Sequence, residues 1–161
     1  MRFVGVVIAV AMIAAVPGCS SATDASLPDD ARITYRFQDS SVPPPYHRSY
    51  DLIVTRESSH IVVDSYGDVL ADETVPTSAD TWAALTEGYP AVAGARSTTS
   101  EPGCTGGTSS SLEVMSQGQT LVDVVEDECG DSPTADAIDT WIAPARELFP
   151  AMDELAPETE E

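Results

Sequence analysis

The chain carries two histidines, His47 and His60, three cysteines and no lysine, and these residue types bound the chemistry open to it. His47 sits in Tyr46-His47-Arg48, directly behind Pro43-Pro44-Pro45, in the kind of loop that tends to carry function. A general base needs an orienting carboxylate and a nucleophile close in space; the spacing identifies neither. A hydrolase with a non-motif site around His47 and scattered acids is therefore one reading of the chain. His60 shares a side with Val62 in an alternating stretch and reads as a sheet-surface or edge residue. Zinc ordinarily takes three or four His, Cys or carboxylate ligands, and neither His-Glu-x-x-His nor Cys-x-x-Cys occurs, so no metal is expected. Asp64, Asp68, Asp72 and Glu73 around Gly67, and the run Glu126-Asp127-Glu128, offer the oxygens that calcium takes. Their spacing differs from the alternating calcium loop, and they read as solvated acidic loops. Gly103-Cys104-Thr105-Gly106-Gly107-Thr108 precedes a strand and lacks lysine, unlike a phosphate-cradling loop, which joins a strand to a helix. The absence of lysine also excludes a Schiff base and a Ser-Lys pair. No Gly-x-Ser-x-Gly elbow is present. No cofactor is expected.

The most distinctive stretch is Pro43-Pro44-Pro45-Tyr46-His47-Arg48-Ser49-Tyr50. A stiff proline segment presenting Tyr46, His47, Arg48 and Tyr50 makes a low-entropy binding surface from residue types common at interface hot spots. The competing reading is that the prolines carry the chain between sheet edges while Tyr46 and Tyr50 pack inward.

The N-terminus gives an address. Met1-Arg2 is a short positive start and Phe3 to Val16 an apolar run of fourteen residues, the layout of an export signal. Such a run falls short of the roughly 20 residues that span a bilayer as a helix. Val16-Pro17-Gly18-Cys19 resembles the lipobox of bacterial lipoproteins. The resemblance implies cleavage before Cys19, acylation of its thiol with chains such as palmitate, and a mature protein held on the outer face of the cell membrane. A plainly secreted chain and a signal anchor are the alternatives.

If Cys19 carries lipid, Cys104 and Cys129 remain as one pair in an oxidising compartment. A bridge between them closes a loop of about 26 residues, worth roughly 3.5 kcal/mol in chain entropy. The alternative leaves both as thiols, one serving as nucleophile. Without its leader the chain holds 27 acidic residues against six arginines. That field repels nucleic-acid phosphates and anionic headgroups, so nucleic acid is no partner and membrane contact runs through the lipid on Cys19.

Periodicity supplies the scaffold. Residues 19–30, the Cys and a small, polar, acidic segment, read as a flexible tether. Ile33, Tyr35 and Phe37 alternate as a half-buried strand, and the proline run reads as an extended excursion. Tyr50–Arg56 and His60–Asp64 form one hairpin, and Val69-Leu70 leads into an acidic loop. A helix begins at Thr77 or Ser78 and stops at Gly88. Leu112–Ser116 and Thr120–Glu126 form a second hairpin across Gln117-Gly118-Gln119. Ser132 caps a helix with an apolar stripe from Ile138 to Leu155, kinked or divided by Pro144 and Pro150. The expected fold is α+β. An antiparallel sheet of about five strands, two hairpins plus the N-terminal strand, is packed by one short helix and a kinked C-terminal helix. It forms a single domain over 31–156, followed by an acidic, disordered tail over 157–161.

Tyr35-x-Phe37-x-Asp39, the 41–50 stretch, Asp64-Ser65-Tyr66-Gly67-Asp68-Val69-Leu70 and Gly103-Cys104-Thr105-Gly106-Gly107 together resemble a group of small actinobacterial-type lipoproteins. The resemblance implies an exported, tethered domain and brings no catalytic residue with it. The expected function is a non-enzymatic, lipid-anchored binding or protein-interaction module of the cell envelope, with an envelope protein or a small ligand as partner. An envelope hydrolase around His47 is the alternative.

Overall fold

The computed structural model describes residues 25–97, 106–128 and 131–158. Six strands form one antiparallel sheet: β1 (Arg32–Gln38), β2 (Ser49–Val54), β3 (Ser58–Ser65), β4 (Asp68–Pro76), β5 (Thr108–Ser116) and β6 (Gln119–Glu128). Their order is β4-β3-β2-β1-β5-β6, so the first strand lies in the middle. It pairs Phe37 with Tyr50 on one side and Tyr35 with Leu112 on the other. The α+β class stands as expected, with six strands in place of about five.

The additional strand is β4, whose sequence reads as an acidic loop. Most of its residues are exposed, because an edge strand at the rim of the core needs few apolar residues. Asp72 and Glu73 on that edge also discourage pairing with another chain. His60 Nε2 lies 2.8 Å from Asp72 Oδ1 across the β3–β4 pair, and the turn Tyr66-Gly67 joins the two strands.

One sheet face builds the core with Ile33, Tyr35, Leu52, Val54, Ile61, Val63, Leu112, Val114, Val122 and Val124. Helices α1 (Ala79–Gly88) and α2 (Pro133–Arg146) cover it. Ser78 caps α1, its Oγ accepting from Thr81 N at 3.0 Å. A single 3-10 turn, Tyr89–Ala91, follows Gly88. Gly88 has ordinary helical dihedrals. Its glycine is required by proximity, since a Cβ there would stand 2.9 Å from Trp141 Cδ1. Trp141 in turn donates from Nε1 to the Leu85 carbonyl at 2.8 Å, locking α2 to α1.

Ser132 caps α2 as expected, accepting from Ala135 N. Pro144 lies in its last turn, and the apolar stripe continues through Leu148 and buried Phe149 to a short α3 (Met152–Leu155). The C-terminal helix is thus divided rather than merely kinked. The N-terminal boundary also moves. Leu27 is only 4% exposed and belongs to the core, and Asp30 Oδ1 accepts from Ser116 Oγ at 2.7 Å. Residues 25–30, read as tether, therefore belong to the folded domain.

Candidate functional site

The proline loop turns back on itself instead of running extended: Tyr46 N donates to the Pro43 carbonyl at 2.9 Å. Asp39 closes the loop at its base, with Oδ1 accepting from Ser40 N at 2.7 Å and Oδ2 from Arg48 N at 2.8 Å. His47 is 1% exposed, and its ring stacks on Tyr66 with centroids 4.0 Å apart. Its Nε2 lies 3.3 Å from Ser49 Oγ. That hydroxyl also accepts from Asp39 N at 3.0 Å and from Gln38 Nε2 at 2.9 Å. Among the described residues Nδ1 has no hydrogen-bond partner, so none of them supplies the orienting carboxylate of a triad at that atom. Ser49 is itself buried, which withholds this Ser–His contact from a substrate.

Arg48 is a strap. Its Nε donates to the Ala156 carbonyl at 2.7 Å, Nη2 to that of Pro157 at 2.9 Å, and Nη1 to that of His47 at 2.7 Å. Pro157, the first residue of the expected disordered tail, is thereby held. Of the four loop residues singled out by sequence, Tyr46 alone stands mostly in solvent, at 56% exposure. Tyr50 is half-buried and faces a different feature.

That feature is a cleft of about 270 Å³ between the sheet and α2, lined by Tyr35, Phe37, Tyr50, Asp139, Ile142, Ala143 and Arg146. Alternation along β1 puts Tyr35 and Phe37 on the core side, and the Phe37–Tyr50 register sets those two rings together at 5.5 Å. Asp139, Ile142, Ala143 and Arg146 follow at helical spacing, so one line along α2 roofs the aromatic floor. The Arg146 guanidinium lies 5.9 Å over the Tyr50 ring, a cation–π arrangement. Its Nη1 donates to the Pro150 carbonyl at 2.8 Å. Tyr35 donates from its hydroxyl to Asp139 Oδ1 at 2.7 Å. Burial, then the neighbouring Tyr50 and Asp139, push the Tyr35 phenol far above its ordinary range; it is a neutral donor at physiological pH. The cleft thus brings together an aromatic wall, a carboxylate and a guanidinium.

The sequence reading missed Tyr35, Phe37, Asp139 and Arg146 as site residues. The signal lies in two periods: a two-residue alternation in β1 and the line 139, 142, 143, 146 beside the apolar stripe of α2. Glu126 was read as part of an acidic loop. It faces inward, 0% exposed, opposite Ser110 in the sheet, and accepts from Ser132 Oγ at 2.9 Å beside the start of α2. Its alternation with Val122 and Val124 was the legible signal.

Asp64 is used within its own turn, accepting from Gly67 N at 2.8 Å. Among the described residues, no group of three or more His, Cys, Asp or Glu side chains could hold a metal ion. Cys19, Cys104 and Cys129 lie outside the described residues. Among the described residues no helix is long and apolar enough to cross a membrane. No protein-family model and no curated protein matches the chain.

Proposed function

We propose that this chain is an exported cell-envelope lipoprotein, anchored through lipid on Cys19, whose folded domain is a non-enzymatic binding module. The cleft between β1, β2 and α2 carries the binding part of this reading. It joins three aromatic rings to one cation and one carboxylate, the mostly apolar wall with few polar groups that marks small-molecule sites. The leader and the Val16-Pro17-Gly18-Cys19 sequence support the address.

Topology relates the two. Ala25 packs against the core, and Asp30 is bonded to Ser116 at the end of the sheet where β1 starts and β5 stops. Five residues lie between Cys19 and Ala25, a span of at most about 22 Å. A lipid on Cys19 therefore holds that end of the sheet close to the bilayer. Phe37, Tyr50 and the loop with Tyr46 lie toward the opposite end.

Membrane fractionation tests the anchor: Cys19→Ala moves the protein from membrane to medium, and retention on the membrane contradicts it. Native mass spectrometry of the protein extracted gently from its membranes tests the cleft. A bound mass present in the wild type and lost in Tyr50→Ala/Arg146→Gln supports the reading; the same bound mass in both, or a bare protein in both, contradicts it.

A further inference from the structure

Deepening the reading of the cleft as a binding site, we propose that its occupant is a neutral, polyhydroxylated ring, a single pyranose unit of a glycan. Size comes first. At about 270 Å³ the cleft falls just below the roughly 300–1,000 Å³ of drug-sized sites, which suits one six-membered ring. Shape comes second. Phe37 and Tyr50 stand as partners on adjacent strands, their rings 29° from parallel. They give the cleft an apolar, aromatic floor against which the C–H face of a pyranose can pack.

Charge decides among the ring ligands that would fit. Asp139 and Arg146 give the cleft one charge of each sign. An anionic ring would meet Asp139 and a protein with a large excess of negative charge. A cationic ring would meet the like charge of the Arg146 guanidinium, which lies over the Tyr50 ring. The hydrogen-bonding inventory agrees. A guanidinium only donates and a carboxylate only accepts. A ligand carboxylate could satisfy the first and an ammonium the second, whereas vicinal hydroxyls can serve both. Pro150 already takes a bond from Arg146 Nη1, and Tyr35 donates to Asp139. Both charged groups are thus oriented before a ligand arrives, which reduces the ordering that binding requires. The Tyr35–Asp139 bond positions the carboxylate; it does not itself need to touch the sugar.

Three probes with one ring and different charge test this by calorimetry and saturation-transfer NMR on the full chain in detergent: methyl glucoside, glucuronate and glucosamine. The expected result is binding of the neutral glycoside with a Kd on the order of 1 mM, as a small ligand in an open cleft allows. The two charged sugars bind at least about fivefold more weakly, and Asp139→Asn or Arg146→Gln weakens the neutral sugar by about fivefold or more. Tyr50→Ala abolishes binding. The two rim variants keep the test valid if Tyr50→Ala unfolds, and near-UV circular dichroism reports folding for all three. Equal or tighter binding of a charged sugar, with sensitivity to the cleft variants, overturns the neutral-ring assignment and leaves the cleft as the site. Sugar binding indifferent to all three variants overturns both. No binding of any probe at 50-fold above the expected Kd overturns the sugar class alone, since the bound-mass experiment still reads the cleft itself.

Discussion

Tyr66-Gly67 and Gln117-Gly118 close their hairpins with the same backbone, positive φ at both central residues, at opposite ends of the sheet. That backbone favours Asn-Gly, because a bulky side chain is strained in the left-handed region. Gln117 is exposed, and beside it Ser116 makes one bond beyond the hairpin, from Oγ to Asp30 Oδ1. Tyr66 accepts the same strain and stacks on His47, while its hydroxyl donates to the Val42 carbonyl at 2.5 Å. Ser65 adds a bond from Oγ to the Pro44 carbonyl at 2.9 Å. One turn simply reverses the chain; the other fixes the proline loop above the end of the sheet that also holds the cleft. A strained residue persists where the surroundings over-determine it, and Tyr66 itself makes such contacts.

The largest expected contrast is between alanine substitutions at the two turns. Tyr66→Ala removes a ring contact and a hydrogen bond and uncovers His47, costing about 2 kcal/mol, whereas Gln117→Ala stays within about 0.5 kcal/mol. Urea denaturation separates them, and equal effects would break the comparison. The next effect concerns the cleft end under alkali. The Tyr35 phenol has its pKa raised in the fold, so above the unfolded tyrosine value near 10 the unfolded chain loses a proton that the native one keeps. Stability is therefore constant with respect to this group below about pH 10 and falls as pH rises further, by up to about 1.4 kcal/mol per unit. Tyr35→Phe should flatten that fall; a profile identical to wild type would contradict the buried, neutral phenol. At the opposite end of the sheet, Ser116→Ala removes the bond to Asp30 and costs about 1 kcal/mol by thermal unfolding. A change near zero there would show that Leu27 and the Arg56–Asp29 pair hold the N-terminal segment without it. The smallest effect sharpens the contrast most: Gln117→Asn improves the turn and stabilises by a few tenths of a kcal/mol, while Tyr66→Asn improves the same local preference and still destabilises.

Alternation and helical spacing made most of the scaffold legible: Ile33, Tyr35 and Phe37 in β1, Ser132 as the cap of α2, and the stripe from Ile138 to Leu155 all stand where their pattern places them. What escaped was set by position in the sheet rather than by local sequence. Edge strand β4 shows little apolar alternation because little of it is buried. Leu27 is a lone apolar residue in a polar run, and only the tertiary fold gives it a core to enter. The loop at 46–50 was visible as distinctive, yet its chemistry reads differently in three dimensions. His47 and Arg48 are spent on burial and strapping, and Tyr50 serves the cleft. The cleft joins β1, β2 and α2, elements some hundred residues apart in sequence, as the Tyr35–Asp139 bond shows.

The central claim is that one end of this domain binds and the other is held at the anchor. An amide chemical-shift map of the full, isotope-labelled chain, titrated with solubilised material from its own envelope, tests it most directly. The account predicts shifts at Phe37, Tyr50 and 139–146, with residues 117–120 unmoved; shifts centred on 117–120, or none at the cleft, would contradict it.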